Sequence, residues 1–340
     1  MTLFLEKVGT FYAPAFSKEK NICGGKIMKR IPIILDGDPG HDDAIAWVLA
    51  KGSPMLDIRG VTSVCGNQTI EKTTYNAQRI CTLIDLHVPT AMGRLRPLIS
   101  DPIIAPTVHG ESGLDGPALP EPDFELEDMD AVTLMAKLIQ ESDEPITLVP
   151  TGPLTNVAAL LMAYPELKEK IARISLMGGG VQYGNWTPAA EFNILVDPEA
   201  AAVVFESGIP IIMAGLDVTE KAMIFPEDFE RIRALGNHVA VIVADWLEFF
   251  YQFHRSLGYE GAPVHDAVAV AALLRPEIME SQDLYVQVET AGDFCKGATV
   301  ADFNGALGKA PNAKVLMGID RQAFVDLLVE AIATYGEGKA

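Results

Sequence analysis

From Ile31 onward the chain alternates compact apolar runs with stretches of helical period. Ile31–Leu35, Ile58–Val64, Ile146–Val149, Ile174–Met177 and Ile209–Ala214 are short and rich in β-branched residues, as strands buried on both faces are. Between them, Ala131, Leu134, Met135, Leu138 and Ile139 fall at i, i+3, i+4, i+7 and i+8 and draw one apolar stripe along a helix. Asp197-Pro198 followed by Gly208, and Pro226 followed by Gly236, bracket two further helices with a proline start and a glycine stop. Strand–helix alternation of this kind predicts an α/β fold, a mostly parallel central sheet flanked by helices on both faces. No repeat or low-complexity tract interrupts it.

In such sheets ligands sit beyond the carboxyl ends of the strands, so the residues that follow each strand carry the chemistry. The first strand runs into Asp36-Gly37-Asp38-Pro39-Gly40-His41-Asp42-Asp43 and then an apolar helix, Ala44–Ala50. Four carboxylates within eight residues repel one another unless something positive neutralises them. A hard divalent cation does so, and Pro39-Gly40 allows a turn that folds Asp38 back toward Asp42 and Asp43. Two other readings stand beside this one: a solvated acidic turn that caps a helix, and the strand-end DxD of a metal-dependent phosphotransferase or phosphatase.

Other strand ends add polar groups. Cys65-Gly66-Asn67-Gln68 places an amide pair at a turn, and Pro150-Thr151-Gly152-Pro153-Leu154-Thr155-Asn156 is a rigid turn able to aim a backbone carbonyl into a site before Thr155 or Asn156 caps a helix. Gly178-Gly179-Gly180 lacks the GK[ST] of a phosphate loop, so close backbone approach or a flexible lid fits it better. Asn185, Glu191 and Asn193 follow, ordinary loop polars singly but together suited to recognising hydroxyls. His265-Asp266 opens a helix that runs to Leu274, and the loop Val108–Gly113 is polar and glycine-flanked, as a mobile lid would be. Tyr251, His254 and Tyr259 lie in an aromatic stretch that, on a helix, is more often core than ligand contact.

Composition narrows the function. Across 340 residues, 26 Lys and Arg face 46 Asp and Glu for a net charge of −20, which disfavours nucleic acid and anionic membrane surfaces as partners. At 49% hydrophobic and 21% charged the chain is expected to fold, and no apolar run reaches the ~18 residues of a membrane helix. Cys23, Cys65, Cys81 and Cys295 lack CxxC spacing, which speaks against zinc or a disulfide framework and for a reducing cytoplasm. Residues 1–29 have neither a clear period nor a signal-peptide pattern, and Met28 sits just before the first strand; they are expected to be a loosely ordered N-terminal extension to one domain over 30–340.

Taken together, Asp36-Gly37-Asp38-Pro39-Gly40-His41-Asp42-Asp43-Ala44, Gly66-Asn67-Gln68-Thr69, Pro150–Asn156, Ala190-Glu191-Phe192-Asn193 and His265-Asp266 resemble the nucleoside hydrolase family of the inosine–uridine type, in order and over roughly residues 30–335. The resemblance implies an open Rossmann-like fold and hydrolysis of the N-glycosidic bond of ribonucleosides, purine or pyrimidine, to ribose and free base. It implies a calcium ion held by Asp38, Asp43, the carbonyl of Thr151 and Asp266, completed by a water and two ribose hydroxyls. Asp38 would be the general base that activates that water, Asp42 would bind the 2′-hydroxyl, and Asn67, Asn185, Glu191 and Asn193 would hold the ribose with Met177 and Phe192 packed near it. His265 would face the base and could donate a proton to the leaving group. A homodimer or homotetramer and a role in nucleoside salvage are implied in the same way. A calcium-dependent nucleoside-binding protein without turnover is the non-enzymatic alternative.

Overall fold

The computed structural model describes residues 29–336 and, before them, a hairpin of Ile22–Cys23 and Lys26–Ile27. But for that hairpin and Lys29, the expectation for residues 1–29 lies outside the described residues.

One eight-stranded sheet organises the chain. Its strands are β1 (Ile31–Gly37), β2 (Leu56–Ser63), β3 (Thr90–Ala91), β4 (Ile146–Pro150), β5 (Ile171–Met177), β6 (Ile211–Ala214), β7 (Met279–Leu284) and β8 (Ala313–Ile319), in the spatial order β7-β8-β6-β5-β4-β1-β2-β3. All neighbours run parallel except β7, which pairs antiparallel with β8 at one edge. The expected apolar runs are these strands, with ends displaced by a few residues: β2 begins at Leu56, β5 at Ile171 and β6 only at Ile211.

Burial explains why the central strands read as continuous apolar runs. Ile33 and Leu35 pack into one core with α1 (His41–Gly52), α10 (His238–Ser256), α11 (His265–Leu274) and α12 (Arg321–Ala333), while Ile34 between them packs into a second core with α4 (Ala131–Glu141), α5 (Thr155–Ala163) and α7 (Pro198–Phe205). All three side chains are fully buried, so both faces demand hydrophobicity. The Ser175 hydroxyl donates to the Ala269 carbonyl (2.7 Å), tying β5 to the middle of α11. The helix stops hold in outline. Gly208 and Gly236 both take left-handed backbone a few residues after α7 and α9 (Pro226–Arg233) end.

Every motif singled out at a strand end lies along one edge of this sheet. Among the described residues no helix is long and apolar enough to cross a membrane, and Cys65, Cys81 and Cys295 are free thiols.

Candidate active site

At the carboxyl edge the chain turns immediately after β1, and α1 starts at His41. The Gly40 N–H donates to Asp43 Oδ2 (3.0 Å), which closes the turn and folds the carboxylates onto one another. Asp42, Asp43 and Asp266 bring ligand atoms within 4.8 Å of one another, Asp266 arriving from the first turn of α11. Asp38 lies beside this trio. The Asn67 N–H donates to its Oδ2 (2.6 Å), and the Asn67 side-chain amide reaches its carbonyl (3.2 Å). Glycines 66 and 152 pack directly on the Asp38 carboxylate, where any Cβ would collide with it.

These carboxylates are all buried, and desolvation pushes them toward the neutral form. Asp42 rises to about 8 through burial and then the charge of Asp43. Asp38 and Asp266 are pushed well above the ordinary carboxylate range by burial and by their acidic neighbours, and Asp43 is raised by burial against the Thr151 hydroxyl that donates to it at 2.6 Å. Among the described residues no Lys or Arg forms an ion pair with any of the four. Asp38 Oδ1 and Asp42 Oδ1 are buried without a hydrogen-bond partner. Unpaired buried oxygens of this kind, with no organic cation near, fit a divalent metal ion.

Asp36 is not part of this group. Its Oδ1 accepts from Thr62 (2.7 Å) and Asn156 (2.8 Å), so the expectation that either Thr155 or Asn156 caps α5 is corrected. Leu154 occupies that cap position without a side-chain bond, Asn156 joins Asp36 to the Ser63 carbonyl, and Thr155 donates to Asp197.

Above the carboxylates opens a cleft of about 410 Å³. Asp42, Asn67, Thr151, Met177, Asn185, Glu191, Phe192, Asn193, His265 and Asp266 line it, whereas Asp38 and Asp43 lie beneath its wall. Asn193 donates to the carbonyls of Thr151 (2.8 Å) and Met177 (3.3 Å), and Glu191 caps α6 (Phe192–Val196) and also accepts from Gly179 N (2.8 Å). Burial lifts Glu191 to about 6 despite those backbone donors. Gly179, at φ 76°, is thus a point of close backbone approach, with Met213 and Thr299 against it.

The other end of the cleft is aromatic. His254 and Tyr259 line it with Phe250, Phe253, Trp186 and Tyr183, while Tyr251 packs instead against Phe229 (ring centroids 5.9 Å). The segment expected to be a mobile lid is anchored: His109, at the end of the short α3 (Pro106–His109), is buried and stacks on His41 and Phe250 at 5.4 Å. His41 in turn bonds the Asp115 carbonyl (2.8 Å). His265 Nδ1 pairs with the Thr219 hydroxyl (2.8 Å), and burial depresses His265 to about 3 and His254 to about 4. His109, Tyr183, Trp186, Glu220, Phe250 and Phe253 are cleft-end residues that the sequence does not single out, and His41 packs buried behind them.

A family model for inosine-uridine preferring nucleoside hydrolase matches residues 33–326. The chain belongs to that family. It is therefore an N-glycosyl hydrolase of ribonucleosides. It is 56% identical over 308 residues to a pyrimidine-specific ribonucleoside hydrolase, RihA, of Escherichia coli O7:K1, covering 90% of this chain and 99% of the relative, and equally similar to that of Citrobacter koseri. A purine-preferring ribonucleoside hydrolase from Gardnerella vaginalis superposes with a TM-score of 0.84 at 30% identity, over 90% of this chain and 99% of its own. The hydrolase's sheet and helices are thus those of solved members of its class.

Proposed function

We propose that this hydrolase cleaves pyrimidine ribonucleosides, with a calcium ion at the carboxylate end of the cleft and Asp38 as general base. The observation that carries this reading is the cluster of buried, unpaired carboxylate oxygens at the floor of a cleft lined with amide and carboxylate groups. Base preference rests on the 56% identical relatives, which are named as pyrimidine-specific.

Asp38, Asp43, the Thr151 carbonyl and Asp266 would hold the cation. Asp42 also approaches Asp43 and Asp266, yet it lines the cleft and is kept for the ribose 2′-hydroxyl. Bound there, calcium supplies charge neutralisation and Lewis acidity toward water and hydroxyl groups. Asn67, Asn185, Glu191 and Asn193 hold the ribose, and Met177 and Phe192 pack beside it.

Asp38 has one oxygen fixed by the Asn67 N–H and one free. The free oxygen takes a proton from water as the water oxygen bonds to C1′ and the C1′–N bond breaks. Its electron pair leaves with the base. Positive charge building on the sugar is met by Asp38 and Asp42. With the Thr219 hydroxyl donating to Nδ1, the neutral His265 carries its hydrogen on Nε2 and stabilises the charge on the departing base by a hydrogen bond from it.

A panel of uridine, cytidine, inosine and a nucleoside monophosphate, with and without chelator, tests the whole. Chelator-sensitive base release from uridine and cytidine supports it. Phosphate release from the monophosphate would restore the phosphotransferase reading, and stoichiometric binding without base release the non-catalytic one. We further propose that residues 30–340 act as one catalytic domain in the cytoplasm, consistent with the buried free thiols of Cys65 and Cys81, and that nucleoside salvage is its setting. A homodimer or homotetramer is supported by exposed Leu95, Ile99 and Phe294, and sedimentation would decide it.

A further inference from the structure

We propose that Glu220 is a positioning residue of this reaction, its carboxylate clasping two tyrosines across the mouth of the cleft and so holding the Gly178–Ala190 loop over the substrate. This rests on the cleft being the nucleoside site. The geometry starts from one turn of helix, α8 (Leu216–Thr219), whose Leu216 N–H donates to the Gly179 carbonyl (2.8 Å). Three of its neighbouring side chains reach three parts of the site. Asp217 accepts from the Val181 N–H (2.8 Å), Thr219 pairs with His265, and Glu220 takes the C-terminal cap.

Glu220 uses both carboxylate oxygens. Oε2 accepts from the Tyr183 hydroxyl (2.8 Å) and Oε1 from the Tyr259 hydroxyl (3.0 Å). The two phenols come from opposite walls. Tyr183 belongs to the loop that also carries Asn185 and Trp186, and Tyr259 follows α10, where its ring braces His254 edge-on at 5.4 Å. All three side chains of the clasp line the cleft. A carboxylate accepting from two hydroxyls makes stronger bonds than a neutral acceptor would, and it spans a gap that neither tyrosine crosses alone. Without it, the loop keeps the Val181 bond, the Gly180–Thr299 bonds and the Phe192 N–H bond to Asn185 Oδ1 (3.0 Å) but loses the tie from Tyr183 across to Tyr259, so the Tyr183–Trp186 tip shifts against the rest of the cleft.

The hydrolase contains its own reporter. Of its three tryptophans, Trp47 and Trp246 are fully buried while Trp186 is 40% exposed and leans on Phe192 at 4.8 Å, so collisional quenching by acrylamide reads the loop. Glu220→Ala is expected to raise the quenching constant about twofold with no substrate present, and to raise KM for uridine about five- to tenfold while kcat falls less than KM rises. Glu220→Gln, which can accept one phenol and donate to the other, should restore most of both. Tyr183→Phe should reproduce the quenching change in the otherwise intact protein and add nothing in the Glu220→Ala background. Unchanged quenching in both Glu220→Ala and Tyr183→Phe overturns the clasp, whatever the substrate proves to be. Raised quenching with an unaltered KM overturns its positioning role, and additive effects of the two substitutions overturn the coupling between them.

Discussion

The two ends of the cleft are chemically opposite. At the floor, Asp38, Asp42, Asp43 and Asp266 share a space with oxygens left unpartnered. At the aromatic end, His41 and His109 stack with each other and with Phe250, His41 bonds a carbonyl, His254 Nδ1 bonds the Phe250 carbonyl and His265 Nδ1 the Thr219 hydroxyl. Desolvation drives both ends toward neutrality: the carboxyls up, the imidazoles down. Buried carboxylate oxygens without a partner call for a cation, and stacked neutral rings do not. In the proposed reading the floor would take the cation and the reacting water, and the aromatic end would recognise a flat neutral base.

The harshest way to break this contrast is to remove the floor's base. Asp38→Asn keeps the size and the Asn67 bond but should lower kcat on uridine by roughly 10²–10⁴-fold. Activity near that of the wild type would place the general base elsewhere. Chelation should abolish turnover and lower Tm, calcium should restore both, and at a free concentration near a hundred times Kd the cation should stabilise the fold by about 2.7 kcal/mol. A Tm indifferent to calcium would mean that the carboxylates bind nothing.

At the aromatic end the expected losses are smaller and selective. His265→Ala should slow uridine by about 10- to 100-fold yet spare a riboside with an activated leaving group, and equal losses on both would remove its role in base departure. The pH dependence of stability sharpens the comparison further. Asp42 near 8 and Glu191 near 6, both raised, keep protons that the unfolded chain releases near 4, so in the cation-free protein they withdraw stability as pH rises from about 4 to 8, opposed by the histidines below about 6.5 and unopposed above it. His41 and His254, both depressed to about 4, refuse protons that the unfolded chain takes near 6.5, so stability should fall as pH drops from about 6.5 to 4, by up to about 1.4 kcal/mol per pH unit for each. Saturating calcium should flatten the alkaline limb and leave the acid limb untouched. Thermal scans across pH, with and without calcium, would show one limb moving and not the other, or refute the assignment.

What the sequence made legible follows the same division. The floor is built from consecutive residues after β1 and from short motifs at other strand ends, so Asp38, Asp42, Asp43, Thr151 and Asp266 could be found by reading strand by strand. Strand parity and burial fixed the sheet almost as directly, through Ile33, Ile34 and Leu35. Asp36 was the exception at the floor. It carries the same charge in the same motif, but its partner Asn156 lies 120 residues away and nothing local announces that bond. The aromatic end depends on packing between elements. Along α10, Phe250, Phe253 and His254 line the cleft while Tyr251 packs on Phe229, and no period distinguishes a stripe facing a cleft from one facing a core. Glu220 escaped notice for a related reason, because its meaning comes from two tyrosines on separate loops.

Depth in this cleft is also order in time. Of the residues proposed to hold the ribose, all but the exposed Asn185 are nearly without solvent contact, whereas Tyr183, Trp186 and Leu257 at the other end are 40%, 40% and 60% exposed. Once the glycosidic bond is broken, the free base has the shorter path out and the sugar stays behind it. Ribose should therefore be the last product to leave and a competitive inhibitor against nucleoside, and the free base should inhibit weakly and non-competitively.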